Sequence, residues 1–344
     1  MTTTFALPPG AEATAPPEWR GLARDEVRLM VVAPGGPTHH RFRDLPDLLE
    51  PGDLVVVNTS PTLPARLAAR RADGVVVPLH VSTIRDDGSW VVELRRPDNS
   101  GPDLGVEPGT VLELPDGVRL TLRHCFPDAA RPCRLWLVAA ERPLTTGYLA
   151  EHGSPIRYGY ADRAVPLAEY QNVYANPAAS GGSAEMASAG RPFTADLLVR
   201  LVVRGIAVAP LTLHTGVSSP EAHEPPYAEW FSVPEATARL VDTTRRAGRR
   251  VVAVGTTVTR ALESATDDDG TTRAADGWTD LVLGPDRPAR VVTGLITGLH
   301  VPEASHLLLL EAVAGAELVR AAYAAAVAQR YLWHEFGDSM LFLP

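Results

Sequence analysis

The stretch Val251-Val-Ala-Val-Gly-Thr-Thr-Val-Thr-Arg260 carries the sharpest chemical signal in the chain. A buried strand over 250–254 ends at Gly255, and Thr256 or Thr257 caps the helix that follows. Such a turn aims unpaired backbone N–H groups and the positive end of a helix dipole at one spot. A carboxylate or phosphate would bind there, with Arg260 one turn on to add charge. The same residues also read as a plain capped connection with a solvated arginine. Two of the ten histidines stand at comparable places. His214 follows an apolar strand over 206–213 and precedes Thr215-Gly216; His300 stands in Thr297-Gly-Leu-His300-Val-Pro-Glu303, between a strand and a helix. The carboxyl end of a strand is where α/β folds collect ligands, and a hydrogen-bonded core histidine fits both positions equally well. The adjacent His39-His40 points its side chains apart in a strand, and no His-Glu-x-x-His occurs, so no metal site is expected. Gly190-Arg-Pro-Phe-Thr194 closes a stretch rich in glycine, serine and alanine over 178–190. It either lets backbone approach a ligand closely or is a flexible loop.

Other chemistries are excluded. All 32 basic residues are arginine, which removes a Schiff-base lysine and a phosphate-binding loop that needs its lysine. There is no Gly-x-Gly-x-x-Gly for a dinucleotide and no Gly-x-Ser-x-Gly for a nucleophilic serine. The net charge of −9 and pI of about 5.6 mean that a nucleic-acid partner would need a local basic patch. Arg66, Arg70 and Arg71, or Arg245, Arg246, Arg249 and Arg250, are candidates for one, and equally for solvated surface charge. Cys125 and Cys133 are expected as two reduced thiols.

Elements must position these residues. With 344 residues, 45% of them hydrophobic, the chain can bury a large core in one or two domains. No apolar run is long enough to span a membrane, and the start has no basic region leading into an apolar one. A cytoplasmic protein, monomeric or a small homo-oligomer, is therefore expected. A buried strand over 53–57 enters the polar turn Asn58-Thr-Ser-Pro61. From 67 to 146 the texture is β-rich, with short runs at 75–81, 90–94, 110–114, 118–122 and 135–138, and Pro115-Asp-Gly117 as a hairpin turn. This is an all-β module inserted into the chain. Beyond 147, helices at 195–204, 234–246, 258–264, 305–314 and 316–332 alternate with strands, and the acidic 265–277 reads as a mobile loop. The fold class is α/β (α+β), with 1–66 and 147–344 as the main domain and 67–146 as the insertion.

Together the motifs resemble the S-adenosylmethionine:tRNA ribosyltransferase-isomerase family. The resemblance is carried, in order, by Gly52-Asp-Leu-Val-Val-Val-Asn58 with Pro64-Ala-Arg-Leu67, Tyr170-Gln-Asn-Val-Tyr-Ala175, and Gly182-Ser183 through Gly190 with Phe193-Thr194. It continues in Thr212-Leu-His214-x-Gly216, Val254-Gly-Thr-Thr-x-x-Arg-x-Leu-Glu263, His300-x-Pro-Glu303 and Phe336-Gly-Asp-x-Met340. It implies an α/β body with an inserted small β-barrel. It also implies transfer of the ribosyl part of S-adenosylmethionine to the aminomethyl group of a deazaguanine base in tRNA. That part is isomerised to an epoxycyclopentanediol, with release of adenine and methionine, in queuosine synthesis and without metal. The sulfonium acidifies the adjacent carbon, so the protein must supply a base, a seat for the methionyl carboxylate and a means to stabilise departing adenine. Gly255-Thr256-Thr257 suits the carboxylate; His214, His300 and Asp338 are the candidates for proton transfer. Asn58, Arg66, Tyr170, Gln171, Gly190, Phe193, Thr194, Gly216, Arg260 and Glu303 complete the expected substrate contacts.

The chain also departs from the family. Asn58-Thr-Ser-Pro61 stands for Asn-Asp-Thr-Arg, Arg191-Pro192 for Leu-His, Glu224-Pro-Pro-Tyr-Ala-Glu229 for His-x-Met-His-Ser-Glu, and Thr297-Gly-Leu-His300 for Thr-Asn-Phe-His. Two other readings are therefore kept: a relative using an adenosyl sulfonium with a small-molecule acceptor, and a non-catalytic nucleoside- or RNA-binding protein. Two structural expectations follow. His214 and the Gly255–Thr257 turn should share one edge of the sheet and line one pocket, and the β module should take little direct part in donor chemistry.

Overall fold

In the computed structural model, residues 3–127, 133–160, 163–217, 226–302 and 304–344 are described. The order of elements begins with β1 (Arg28–Ala33), β2 (Gly36–Arg41), the short helix α1 (Leu45–Leu48) and β3 (Leu54–Asn58). Six strands follow: β4 (Arg66–Arg70), β5 (Val76–Ile84), β6 (Trp90–Leu94), β7 (Val111–Glu113), β8 (Arg119–Phe126) and β9 (Leu135–Ala140). Then come α2 (Thr146–His152), α3 (Ala195–Val203), β10 (Ala207–Leu213), β11 (Glu229–Val233), α4 (Glu235–Arg246), β12 (Val251–Val254), α5 (Thr256–Ser264), β13 (Ala275–Thr279) and β14 (Gly294–Gly298). The chain ends with α6 (His306–Ala314), α7 (Ala316–Ala328) and β15 (Ser339–Phe342).

Among the described residues, nine strands form one sheet in the order β13-β11-β10-β3-β12-β14-β15-β1-β2. Its centre, β10, β3, β12 and β14, is parallel. The sequence of β3 explains its place. A Leu-Val-Val-Val run has no polar face, and all of its residues are buried. Leu54 and Val56 pack with the helices α4 to α7, and Val55 and Val57 pack with α3 and Phe42 on the other side. A strand covered on both faces must be apolar throughout, as parallel strands are. Leu307, Leu309 and Leu310 of α6 are buried in the first of these cores, which makes it a core helix.

The other six strands close into a barrel, β4-β5-β6-β9-β8-β7, with antiparallel neighbours throughout. It has its own core, built on Leu67, Leu79, Trp90, Leu120 and Trp136, onto which Tyr148 and Leu149 of α2 also pack. Because the barrel follows β3, it leaves the main body at the carboxyl edge of the parallel strands.

Three expectations are corrected. The acidic 265–277 is no simple loop: Thr266 and Thr272 pair across a turn, and Ala275–Thr279 is the edge strand β13, held by register with β11. The β-bridging partners, not the local composition, fix it. Cys125 and Cys133 are not two free thiols but are joined in a disulfide, with Cα atoms 5.4 Å apart. The end of β8 and the residues leading into β9 bring them together, a proximity that a spacing of eight does not reveal. Helix α7 ends at Ala328 rather than 332, because Arg330 takes a left-handed conformation.

Candidate active site

The parallel strands end on one edge at Asn58, Leu213, Val254 and Gly298. A cleft of about 850 Å³ opens there. Thr62, Tyr170, 184–189, Gly216, Gly255, Thr256, Thr257, Arg260 and 297–301 line it from the main body, with Thr83, Glu93, Arg95, Gly101 and Arg134 from the barrel. Open α/β sheets bind ligands at this edge.

Helix α5 starts on the cleft. Gly255 has φ +94°, a left-handed value that favours glycine, and its N–H bonds to Ile296 O at 2.8 Å. Among the described residues no side chain caps this helix, contrary to the expected threonine cap. Its first turn, with Thr256 and Thr257 in the lining, thus presents an anion seat. Thr257 Oγ1 lies 3.5 Å from Asn58 Nδ2, and Asn58 in turn holds both the N–H and the C=O of Leu213, at 3.0 and 2.8 Å. Asn58 therefore ties the ends of β10 and β12 across β3 but is not itself in the lining.

Arg260 is buried rather than solvated. Its guanidinium pairs with Glu229 and donates to the carbonyls of Leu281 and Thr279 at 3.0 and 3.1 Å. Burial raises the Glu229 carboxyl, and the arginine opposes that shift. Glu229 also accepts the Gly216 N–H at 3.1 Å. A Cβ at Gly216 would meet Ser82 Oγ at 2.8 Å, so this glycine lets the main body approach β5.

His300 lines the cleft, stacked on His306 with ring centroids 4.5 Å apart. Its Nε2 meets Thr297 Oγ1 at 3.0 Å, and its carbonyl accepts from Trp333 Nε1 at 3.0 Å. Burial first, then His306 and His334, hold its imidazole well below the usual range. Burial, with Arg260 adding to it, brings His306 down to about 4. Both rings are neutral at pH 7.

His214 stands on the same edge but outside the lining, so the shared-pocket expectation holds for the turn and fails for the histidine. Its Nδ1 meets Ser60 Oγ at 2.7 Å and its Nε2 meets Ser180 O at 3.2 Å, while the ring stacks on Trp230. Burial lowers its pKa. Ser60 Oγ continues to Ser183 Oγ at 2.7 Å, and Ser183 Oγ receives the N–H of Thr215, a lining residue.

Other expected residues are also braces. Asp338 lies outside the cleft lining; it accepts from the Arg28 N–H and Nε, each at 2.9 Å, and from Leu332 N at 2.8 Å. Gln171 clamps the backbone of Thr62 through both ends of its amide. Phe193 is in the core against Phe42, Thr194 caps α3 through Leu197 N at 3.1 Å, and Gly190 makes room for Tyr174 and Asn172. Arg66 sits on β4, where burial and Arg157 lower its pKa. Glu303 lies outside the described residues. Most of the arginines expected as a basic patch are engaged: Arg71 with Asp103, Arg246 with Asp242, Arg249 with Glu50 and Arg250 with Asp53. Asp116, Glu151 and His152 bring possible metal-ligating atoms within 4.8 Å of one another, away from the cleft lining.

The barrel's share of the lining was not expected. Glu93 holds Arg95 at 2.7 Å and Arg134 at 2.5 Å. The sequence reading also missed a polar group of Tyr158, Tyr160, Glu185, His334 and Glu335, all in the lining. The hydroxyls of Tyr158 and Tyr160 donate to Glu185 and Glu335. The adjacent His334-Glu335 after the last helix was the available signal.

A ligand cleft on the carboxyl edge of a parallel sheet, with an anion seat and neutral imidazoles beside it, defines an enzyme of the α/β class with an attached barrel. The chain belongs to the queuosine biosynthesis protein family, whose model matches residues 2–342. It is 38% identical over 340 residues to the S-adenosylmethionine:tRNA ribosyltransferase-isomerase of Thermus thermophilus, covering 93% of each chain. It is 35% identical over 347 residues to that of Gloeobacter violaceus, covering 99% of this chain and 94% of the relative. The crystal structure of an S-adenosylmethionine tRNA ribosyltransferase from Thermotoga maritima superposes with a TM-score of 0.54 at 29% identity, over 99% of both chains.

Proposed function

We propose that this enzyme transfers and isomerises the ribosyl part of S-adenosylmethionine onto the aminomethyl group of a deazaguanine base of tRNA, releasing adenine and methionine. The observation that carries the reading is full-length family membership combined with a cleft at the ligand edge of the sheet. The first turn of α5 seats the methionyl carboxylate. Neutral His300, held by Thr297, is the candidate to stabilise departing adenine by hydrogen bonding as an uncharged imidazole. His214 orients the Ser60–Ser183 chain behind the wall, and Asp338 positions a loop; neither is assigned a proton-transfer step. The chemistry needs no resident metal, and a cytoplasmic place as monomer or small homo-oligomer goes with a tRNA substrate. Among the described residues no helix is long and apolar enough to cross a membrane.

The test is product analysis by mass spectrometry, with S-adenosylmethionine and tRNA bearing the aminomethyl base. Adenine, methionine and a modified tRNA are expected in equal amounts. Release of S-adenosylhomocysteine, or no adenine, would contradict the reading.

A further inference from the structure

We propose that Glu335, supported by Glu185, receives the primary ammonium of the acceptor and removes the proton that this nitrogen must lose before it attacks. The inference rests on the proposed function and gives the acceptor's side of the reaction to Glu335, a residue outside the quoted motifs.

The loop after α7 presents Glu335 to the cleft. Trp333 and Phe336 are buried on either side of His334-Glu335, at 0% and 1% exposure, which anchors the loop at both ends. Gly337 has no room for a side chain, since a Cβ would lie 2.7 Å from Trp333 O. His334 takes the left-handed conformation at φ 72°, and it and Glu335 line the cleft. Tyr160 donates to Glu335 Oε2 and stacks flat on His334, with centroids 4.0 Å apart. Tyr158, 6.2 Å from Tyr160 between ring centroids, donates to Glu185.

Two other acids of the cleft have arginine partners, Glu229 with Arg260 and Glu93 with Arg95 and Arg134. Among the described residues no arginine is within ion-pair distance of Glu335. A carboxylate flanked by aromatic faces is a seat for a compact cation such as an alkylammonium. A second observation points to a ligand there. Tyr170 is 3% exposed and lines the cleft, yet its buried hydroxyl has no hydrogen-bond partner. Its ring meets Phe336, the residue after Glu335, at 5.2 Å. An unpaired buried hydroxyl is costly, so a polar atom of the acceptor completes it.

The step balances as a proton transfer. One N–H bond of the ammonium breaks, one O–H bond forms on Glu335, and the freed lone pair becomes the nucleophile. Burial, aided by the charge of Glu185 and opposed by the Tyr160 hydrogen bond, pushes the Glu335 carboxyl up to about 7. Among the described residues, Tyr160, Glu185, Tyr170 and His334 are the titratable groups around it.

The experiment measures kcat/KM for tRNA bearing the aminomethyl base against pH, with S-adenosylmethionine binding followed by calorimetry and folding by thermal melting. Wild type should gain activity as pH rises through about 7, as Glu335 ionises. Glu335→Gln should lose about 100-fold or more and the rising limb with it, while donor affinity stays within about twofold. Tyr160→Phe, a milder change, should move the limb to higher pH, because the carboxylate loses a donor. Glu335→Gln with near-wild-type turnover and an unchanged limb overturns the inference and leaves the proposed function standing. Wild type that binds no S-adenosylmethionine overturns the proposed function, and the inference with it.

Discussion

Thr256 and Thr257 test the anion seat residue by residue. Each stands in the first turn of α5 on the cleft, and each hydroxyl can add a hydrogen bond to the backbone donors. One such bond contributes about 0.5–1.5 kcal/mol. Thr256→Val should therefore raise the donor dissociation constant about 2- to 10-fold in calorimetry. An unchanged constant would remove the hydroxyl from the seat. Gly190 makes the opposite case, a motif residue kept for space. An added methyl would press on Tyr174 and approach Asn172 Nδ2 at 2.8 Å. Gly190→Ala should destabilise by about 1–3 kcal/mol in urea unfolding, as overpacking does. Equal stability would show that the loop yields. At this scale the sequence located residues better than it assigned their work. The strand-end position of His214 was legible; its partners Ser60 and Ser180 lie 154 and 34 residues away and were not.

Among the elements, the α7–β15 loop and α6 carry the sharpest expectations. Asp338 holds the loop through Leu332 N and joins it to β1 through Arg28. Asp338→Asn keeps the shape but removes the charge. It should cost about 1–3 kcal/mol of stability, Arg28 being partly exposed, and lower turnover without abolishing it. Complete loss of turnover in a folded variant would instead return Asp338 to the chemistry. Helix α6 brings His306 against His300, and the sign of the pH effect follows. Burial brings the His306 imidazole down to about 4 in the folded chain against 6.5 for a free histidine, so below pH 6.5 the unfolded chain binds a proton that the folded chain does not. Stability should fall on acidification from about 6.5 to 4, by on the order of 3 kcal/mol from His306. Urea midpoints of wild type and His306→Gln across that range should differ in slope; parallel curves would refute the assignment. The elements with strong local signals, β3, α3 and β6, were legible. The strands β1, β11, β13 and β15 were not, because pairing with distant partners helps to set them: Leu29 pairs with Ser339, and Trp230 with Trp278.

For the whole molecule, the order of the motifs was more informative than any one of them. Short β-prone runs and the Pro115-Asp-Gly117 turn foretold an all-β module, and the family resemblance implied that it closes into a barrel. The barrel's place over the carboxyl edge was not foretold, nor was its share of the cleft, since neither leaves a local pattern. The altered motif residues sit in a frame that still closes this cleft. The central claim is that S-adenosylmethionine binds there. Hydrogen–deuterium exchange with and without saturating S-adenosylmethionine tests it most directly. The account predicts slowed exchange at the amides of residues 255–258, 184–189 and 297–300. Saturated binding that leaves those amides unchanged, with protection confined to other surfaces, would contradict it.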